Sequence, residues 1–346
     1  MREAAARLTF RDPLIELVHG AGGKATRRLI EGLFLPLLEN PTLAALADAA
    51  TIPLDGLRLA LTTDAFVVRP LRFPGGSIGE LAVNGTINDL AVSGAHPLGL
   101  LAAFIVEAGL PSDVLRAETE ALARAARQAG IVVLGGDTKV VEHGKADGLY
   151  IVTTGIGLVD ARAELGPERV RPGDRILITG PIGDHGITVL LARGELDLEA
   201  DLVSDTRPLT PFVAALLDAA GPGLRWMRDP TRGGVATALN ELAREAGVAV
   251  LLVEEALPVR DAVRGACELL GLDPLYIANE GQLLAVVDPS VAEAALAALR
   301  RVPGGELAAC IGEVRTEPAG VVTVTTAYGG QRVIDMLVGD PLPRIC

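Results

Sequence analysis

Residues 77–95 read SIGELAVNGTINDLAVSGA, and this stretch decides the fold of the first half of the chain. Ser77 is a residue type that caps helices, and the apolar spacing after it predicts a helix through the stretch. Asn84 and Asn88 are four residues apart, so a helix places both amides on one face, beside Asp89. The stretch therefore predicts a helix that presents two amides and a carboxylate together.

The elements predicted around this helix do not alternate strictly between strand and helix. The alternating leucines of 57–64 predict a half-buried strand that ends near Asp64. Further strands are predicted at 98–110, 131–141 and 148–160, and a helix capped by Ser112 is predicted at 112–130. Because strict strand–helix repetition is missing, the first half is predicted to be α+β rather than a doubly wound sheet.

The run RPGD at 171–174 supplies turn residues and indicates a domain boundary. Beyond it we predict strands at 176–179, 249–253, 282–287 and 321–325 and helices at 210–220, 233–247, 260–271 and 290–302. A chain of 346 residues is long enough for two domains. We predict a mixed α/β fold with a first domain of residues 1–168, a second domain of 169–337, and a flexible, extended tail of 338–346.

Composition excludes several kinds of partner. A net charge of −13 and an aromatic content of 3% argue against nucleic-acid binding, which needs clustered cations or stacking side chains. An acidic chain still binds nucleotides when Mg²⁺ lies between its carboxylates and the phosphates. No apolar run approaches the ~20 residues of a membrane helix, and no signal peptide is recognisable. Three widely spaced cysteines indicate neither a disulfide framework nor a zinc site, and they predict a reducing cytoplasm.

Three aspartates lie at the ends of predicted elements: Asp64 in TTDAF, Asp89 in NDLAVSGA and Asp137 in GGDTK. Each alone is more typical of a cap or turn. All three are flanked by Thr, Asn or Gly, and Mg²⁺ takes carboxylate oxygens from separate segments together with phosphate oxygens. As a set they predict a magnesium site.

The glycine-rich stretch HGAGGKATRRLIE begins at His19. It lacks the spacing of a Walker A loop, and it lacks the flanking strands and the acidic residue of a dinucleotide-binding motif. A glycine turn that opens a helix binds anions through free N–H groups, which makes Gly22 and Gly23 candidates for phosphate binding. A plain loop is the alternative.

Two later segments offer polar side chains to an anionic substrate. In DPTRGG, Asp229 is a predicted helix cap, and Arg232 is either a phosphate-binding residue or a surface arginine beside a glycine turn. Glu280 precedes a predicted buried strand, and it is either a turn residue or a general base. Lys139 follows Asp137 by two, so both side chains point the same way on a strand.

Cys346 is the last residue, in the segment PRIC. A terminal thiol is either an accident of chain length or a nucleophile on a movable arm. Its own α-carboxylate disfavours the thiolate, so it is not strongly activated by itself.

These segments together resemble a known family. The stretches HGAGG, TTDAFVV, GGSIGELAVNGTINDLAVSGA, GGDTKVV, DPTRGGVATALNE, NEG and PRIC are similar to the HypE family of hydrogenase-maturation carbamoyl dehydratases. That family lies in the ATP-binding superfamily of aminoimidazole ribonucleotide synthetase and selenophosphate synthetase. The resemblance covers nearly the whole chain, and it implies two α/β-type domains, with first-domain strands pairing across a homodimer and ATP near that interface.

The resemblance also implies a chemistry for Cys346. A HypF-like carbamoyltransferase would place a carbamoyl group on the thiol, giving a thiocarboxamide. ATP would phosphorylate the amide oxygen, and loss of phosphate would leave a thiocyanate. The cyanide would then pass to iron held by a HypC–HypD complex, as a ligand of the nickel–iron hydrogenase active site.

Twelve residues are candidates for the site, nine of them through this resemblance and Gly22, Gly23 and Asp229 through the segments described above. They are Asp64, Asp89 and Asp137 for Mg²⁺; Gly22, Gly23, Asn88, Thr138 and Asp229 for the nucleotide; and Cys346 as carrier, Glu280 as base, and Lys139 and Arg232 for the developing charge.

Two alternative functions stay open at this point. One is a related ATP-dependent enzyme that phosphorylates a small-molecule amide oxygen or a selenide. Selenophosphate synthetase-like enzymes carry a reactive cysteine or selenocysteine near the N-terminus, whereas the first 50 residues here contain none. The other is a thiol carrier without catalysis, against which the three aspartates argue.

Overall fold

A computed structural model describes residues 9–38, 40–196, 198, 200–339 and 342–346. Two β-sheets organise these residues, one with strands between residues 50 and 159 and one with strands between 175 and 334. The predicted domain boundary after residue 168 falls between the two sheets. Residues 1–8 of the predicted first domain and residues 340 and 341 of the predicted tail lie outside the described residues.

The first domain combines a mostly antiparallel sheet with helices on one face. Its helices are α1 (Gly23–Leu29), α2 (Leu35–Leu38), α3 (Ile78–Val92) and α4 (Ser112–Gln128), and its strands are β1 (Ala50–Leu54), β2 (Leu57–Phe66), β3 (Arg72–Phe73), β4 (Gly76–Ser77), β5 (Ala95–Glu107), β6 (Val132–Val141) and β7 (Leu149–Val159). The order in the main sheet is β1–β2–β7–β5–β6, in which β5 and β6 are parallel. Buried and half-buried residues alternate along all of β7, as expected for a strand with one covered face.

Helix α3 covers this sheet and is buried on almost every side. Gly79 allows α4 to cross closely, because a Cβ there would lie 2.2 Å from the Glu118 carbonyl oxygen. The polar residues Asn84 and Asn88 are buried, and the Asn88 side-chain oxygen accepts the Leu209 N–H at 2.8 Å. Since Leu209 belongs to the second half of the chain, α3 joins the two domains.

The second domain is also a mixed α/β unit. Its helices are α5 (Asp184–Ala192), α6 (Thr210–Ala220), α7 (Gly234–Ala246), α8 (Asp261–Leu270) and α9 (Ala292–Leu299), and its strands are β8 (Arg175–Ile178), β9 (Leu224–Arg228), β10 (Ala249–Val253), β11 (Leu284–Val287), β12 (Ala309–Arg315), β13 (Val322–Thr325) and β14 (Gln331–Ile334). The sheet order is β14–β13–β10–β12–β8–β11–β9, and β10–β13 is its parallel pair. Among the helices of the described residues, none is long and apolar enough to cross a membrane.

Helix starts differ from the predicted caps. Ser77 occupies the N-cap of α3, but its hydroxyl forms no capping bond and has no hydrogen-bond partner within the described part of the chain. Ser112 is the first residue of α4, and Pro111 takes the N-cap. Asp229 does not cap α7, whose N-cap is Gly233 with a φ of +77°. The glycine thus provides the left-handed turn at the start of α7 that a capping side chain was predicted to provide.

The outer strand β6 presents apolar side chains to solvent. Val132, Leu134 and Val140 are 58%, 61% and 68% exposed, and Leu101 on the neighbouring β5 is 49% exposed. A long apolar edge strand offers unpaired backbone groups and apolar surface together. This edge is therefore suited to pairing with another chain.

The end of the tail, residues 342–346, is docked against the first domain. The Val67 N–H donates to the Cys346 carbonyl at 3.0 Å, and the Arg69 N–H donates to the Arg344 carbonyl at 3.3 Å. This spacing is that of a short antiparallel pairing. The described residues of the tail are non-helical, as predicted, and its predicted flexibility stays a prediction.

Burial and charge add to the docking of the tail. Leu342 and Ile345 are 4% and 1% exposed, so both side chains are covered by the body of the protein. Arg193 donates to the carbonyl oxygens of Pro343 and Arg344, and the Arg344 guanidinium donates to the Val67 carbonyl at 3.1 Å. The end of the tail therefore lies in a groove that provides both apolar contacts and hydrogen bonds.

Candidate active site

A cavity of about 560 Å³ opens between the two domains. It is lined by α1, by the residues that precede and begin β1, by Asp89 on α3 and by the turn between β9 and α7. Of the predicted site residues, Gly22, Gly23, Asp89, Asp229 and Arg232 line it. A cavity of this size with convergent polar groups is a typical small-molecule site.

Three aspartates form a cluster in this cavity. Asp48, Asp89 and Asp229 each offer a carboxylate oxygen, and these oxygens all lie within 4.8 Å of one another. Asp64 adjoins the cluster and accepts a hydrogen bond from the Thr86 hydroxyl at 3.3 Å. Separate segments thus supply the oxygen ligands that Mg²⁺ prefers, so these residues fit the predicted metal.

Burial and mutual repulsion raise the pKa values of these carboxyls. Burial raises the pKa of Asp89 well above its ordinary value, and the charges of Asp64, Asp229 and Asp48 raise it further. Burial is also the largest cause of the raised pKa values of Asp48, Asp64 and Asp229. Without a cation the cluster therefore favours protonated carboxyls, and a divalent cation would remove the repulsion.

Asp48 was missed by the sequence analysis. Asp48 lies just before β1. A position at the end of a strand, which it shares with other acidic candidates, is the one feature of the local sequence that could have indicated it. The Arg228 guanidinium holds it at 2.9 Å and also contacts Glu241 at 3.1 Å. Because Arg228 directly precedes Asp229, one short segment supplies both a member of the cluster and the cation that orients another member.

The glycine turn at α1 was predicted to bind phosphate through free N–H groups, but two N–H groups next to it are bonded to the chain itself. Gly22 and Gly23 have φ values of +81° and +75° and line the cavity. The N–H groups of Lys24 and Ala25 donate to the carbonyls of Leu337 and Val338, at 2.9 and 3.0 Å. These two N–H groups at the start of α1 are therefore already engaged with the base of the tail.

Arg232 connects the cavity with Glu280. Its Nη1 donates to the Gly20 carbonyl at 2.8 Å. Its positive charge lowers the pKa values of both Asp64 and Glu280, in each case against the larger effect of burial. The guanidinium therefore favours the ionised form of both carboxyls, against the effect of burial.

Glu280 is a buried carboxyl with an unused acceptor. It is 3% exposed, and its Oε1 has no hydrogen-bond partner within the part of the chain that the structure describes. Burial raises its pKa well above the ordinary value, and the charges of Asp229, Asp205 and Asp64 raise it further. Its Oε2 lies 3.8 Å from where a Cβ on Gly85 would be. A carboxylate with a raised pKa is a stronger base, as a proton-abstracting group requires.

Asp137, Thr138 and Lys139 lie on β6, outside the cavity lining. Asp137 and Lys139 form an ion pair at 2.6 Å, with their side chains 63% and 70% exposed. This pair confirms that both side chains point the same way. The hydrogen bond from Lys139 and that from the Thr138 N–H lower the pKa of Asp137. The structure does not bring these three residues together with the aspartate cluster.

Cys346 and Glu280 both approach the region around Phe66. The Cys346 carbonyl is bonded to Val67, the residue after Phe66. The Phe66 ring lies 2.8 Å from where a Cβ on Gly85 would be, the same position that Glu280 approaches. The docked tail thus ends beside Val67, and the ring of the neighbouring Phe66 packs at the same glycine that Glu280 approaches.

Two family profiles cover most of the chain. That of the N-terminal domain of AIR synthase related protein matches residues 46–159, and that of its C-terminal domain matches 171–325. Carbamoyl dehydratase HypE of Azotobacter vinelandii is 52% identical over 99% of this chain and 100% of the relative. The chain belongs to the HypE family of carbamoyl dehydratases. The HypE of Escherichia coli K12 is 48% identical over 96% of this chain and 99% of its own.

Solved structures of HypE proteins have the same fold. Hydrogenase maturation protein HypE in complex with ATP is 47% identical, with a TM-score of 0.80, and covers 95% of this chain and 99% of its own. The HypE–HypF complex contains a chain that is 44% identical, with a TM-score of 0.85, over 89% of this chain and 99% of that chain. The predicted family resemblance and the two-domain mixed α/β architecture are confirmed.

Proposed function

We propose that the chain dehydrates a carbamoyl group, carried as a thiocarboxamide on Cys346, to a thiocyanate, with ATP as the phosphoryl donor. The observation that carries the proposal is the aspartate cluster in a cavity of about 560 Å³, together with the buried carboxyl Glu280, whose pKa the charges of Asp229 and Asp64 raise. A HypE relative has been solved with ATP, which supports ATP as the occupant of this cavity. The thiocyanate would supply the cyanide ligand of a nickel–iron hydrogenase.

The reaction needs one phosphoryl transfer and the loss of two protons from nitrogen. The amide oxygen of the thiocarboxamide attacks the γ-phosphorus, ADP leaves, and one N–H proton is lost as the O-phosphoryl imidate forms. Loss of the second N–H proton and of phosphate then gives R–S–C≡N. Glu280 is the proposed base for these protons, because its carboxyl is buried, unpartnered at Oε1 and raised in pKa.

Groups in the cavity would neutralise the negative charge of the transferring phosphoryl group. Asp48, Asp89 and Asp229, with Asp64 beside them, would hold Mg²⁺, which supplies positive charge to the transferring phosphoryl group. Arg232 would stabilise charge on the side that faces Glu280.

The remaining contacts to the nucleotide come from both domains. We propose that Gly22 and Gly23 contact it from the start of α1, and that Asn88 keeps the domains in register beside it through its bond to Leu209.

We propose a homodimer formed through β6, because this edge strand is exposed and apolar. Asp137, Thr138 and Lys139 lie on the same strand, so their predicted roles as metal, nucleotide and charge-stabilising residues depend on what the second copy brings to them.

The proposed partners follow the relatives and the sequence resemblance. A HypF-like carbamoyltransferase loads Cys346, as the HypE–HypF complex suggests. A HypC–HypD complex accepts the cyanide, and the reaction takes place in the cytoplasm.

Intact-protein mass spectrometry tests the proposal. Cys346 is loaded with a HypF protein, carbamoyl phosphate and ATP, the loaded protein is purified away from nucleotide, and Mg²⁺–ATP is added back. We expect a carbamoyl adduct that then loses one water.

Two variants act as controls. Cys346→Ala should acquire no adduct, and Asp89→Asn should load but not dehydrate. If the adduct on the wild-type protein persists after Mg²⁺–ATP is added, the chain is a carrier and the dehydratase proposal is refuted.

A further inference from the structure

His185 lies where three parts of the chain meet. It is on α5 and is fully buried. Its ring packs edge-on against Phe73 of the first domain, with centroids 5.5 Å apart. Its two nitrogens contact Ser204 in the second domain at 2.8 Å and the Ile345 carbonyl in the docked tail at 3.0 Å. No step of the proposed reaction has used this residue.

The partners of the ring fix its tautomer. A carbonyl oxygen only accepts, so Nε2 must carry the hydrogen that is donated to Ile345. In a neutral ring Nδ1 is then an acceptor, and the Ser204 hydroxyl donates to it. The Ser204 oxygen in turn accepts the Thr206 N–H at 3.2 Å. Burial lowers the pKa of His185 to about 4, which is consistent with a neutral ring.

The same loop that fixes this tautomer also supports Glu280. Asp205 lies between Ser204 and Thr206, and its Oδ1 accepts the Glu280 N–H at 3.0 Å. Asn84 on α3 donates to the Thr206 hydroxyl at 3.1 Å. A continuous set of hydrogen bonds and adjoining loop residues therefore runs from the tail carbonyl to the backbone of the proposed base.

We propose that His185 is a positioning residue that holds the docked tail through its Nε2–H and so places Cys346 beside the Glu280 region. This inference rests on the proposed role of Cys346 as carrier. When the tail leaves to be loaded, a buried ring donor loses its acceptor, and this loss favours return of the tail to the groove. A histidine kept only for packing would show no such dependence on the tail.

The alkylation rate of Cys346 by iodoacetamide, measured by peptide mass spectrometry on the full chain without nucleotide, tests the proposal. His185→Leu removes the donor, and one lost hydrogen bond predicts a rate about fivefold higher because the tail spends more time undocked. His185→Gln keeps an amide N–H near the Nε2 position and should stay within about twofold of wild type. Cys310, which is partly buried and away from the tail, is the internal reference.

A second pair of variants serves if His185→Leu does not fold. His185→Asn places its amide near Nδ1, so it keeps the Ser204 contact, loses the tail contact and should show the fivefold rise that His185→Gln does not. Equal Cys346 rates in the wild type and the Leu or Asn variant would overturn the proposal. So would equal rises in the Asn and Gln variants, or a parallel rise at Cys310, which would indicate general loosening.

The alkylation experiment uses neither ATP nor a carbamoyl group. A negative result therefore removes the role of His185 and leaves the dehydratase proposal standing. Failure of the loaded wild-type protein to lose water would remove the dehydratase and leave the docking result standing.

Discussion

Ile345 is the most deeply buried side chain among the described residues of the docked tail. Only 1% of this residue is exposed, and Ile345→Ala removes three carbons from the covered surface. At about 0.8 kcal/mol for each buried carbon, the change weakens docking by about 2.4 kcal/mol. Since 1.4 kcal/mol corresponds to a factor of ten, the undocked population should rise about 50-fold.

Hydrogen exchange measures this population directly. The Val67 and Arg69 amides donate to tail carbonyls, so they exchange only when the tail leaves, and their exchange should accelerate about 50-fold in Ile345→Ala. Val338→Ala is the matched control, because Val338 is 60% exposed and its truncation should change exchange less than about twofold.

Two results would show that this reasoning is wrong. One is unchanged exchange at Val67 and Arg69 in Ile345→Ala, which would mean that the polar contacts alone hold the tail. The other is an equal acceleration in Val338→Ala, which would mean that burial in the groove is not what distinguishes the two positions.

Three further outcomes follow from the charges described above. Burial raises the pKa of Asp184 to about 6 from 3.8, although the Arg260 guanidinium, which donates to it at 2.8 Å, lowers it. Stability is therefore lost as the pH rises from about 3.8 to about 6, so the stability of Asp184→Asn relative to wild type should be higher at pH 8 than at pH 4, as urea unfolding at both pH values will show. Because the pKa values of Asp89 and Asp229 are raised, the stability of the metal-free protein falls as the pH rises through them. The increase in melting temperature that Mg²⁺ gives should therefore grow from pH 6 to pH 8. A constant increase would place the metal elsewhere. Glu280→Gln should bind ATP within about twofold of wild type by calorimetry yet dehydrate loaded Cys346 at least about 100-fold more slowly in the mass-spectrometric assay, and a normal rate would exclude Glu280 as the base.

Local patterns predicted the elements that have clear boundary signals and an apolar run of the right length. The helix α6 and the strand β10 have the predicted bounds, since each follows a clear turn signal and has regular apolar spacing. Helix α5 was missed because its sequence, DHGITVLLA, is buried along most of its length and shows no polar face. Strand β12 was missed as well, and Gly312 in its middle weakens the strand pattern.

Residues of the candidate site could be predicted only where the neighbouring sequence itself indicates a functional position. Glu280 and Arg232 stand beside recognisable turns, and the charge of Arg232 lowers the pKa of Glu280 against the larger effect of burial. Asp48 could not be joined to Asp89 and Asp229 from the sequence, because long-range packing alone brings three segments so far apart in the chain within 4.8 Å. Asp137 had the same local signature as its fellow candidates and lies on an exposed edge strand instead.

The bonds between the start of α1 and the base of the tail set a limit on where the thiol can travel. Lys24 and Ala25 hold the carbonyls of Leu337 and Val338 at the start of α1, so the tail that we predict to be flexible would pivot there. The eight residues of 339–346 extend at most about 28 Å from this pivot. If Cys346 is the carrier we propose, a carbamoyl donor or cyanide acceptor would have to bring its own catalytic groups within that radius, so reach as well as affinity would determine which enzymes exchange groups with this thiol.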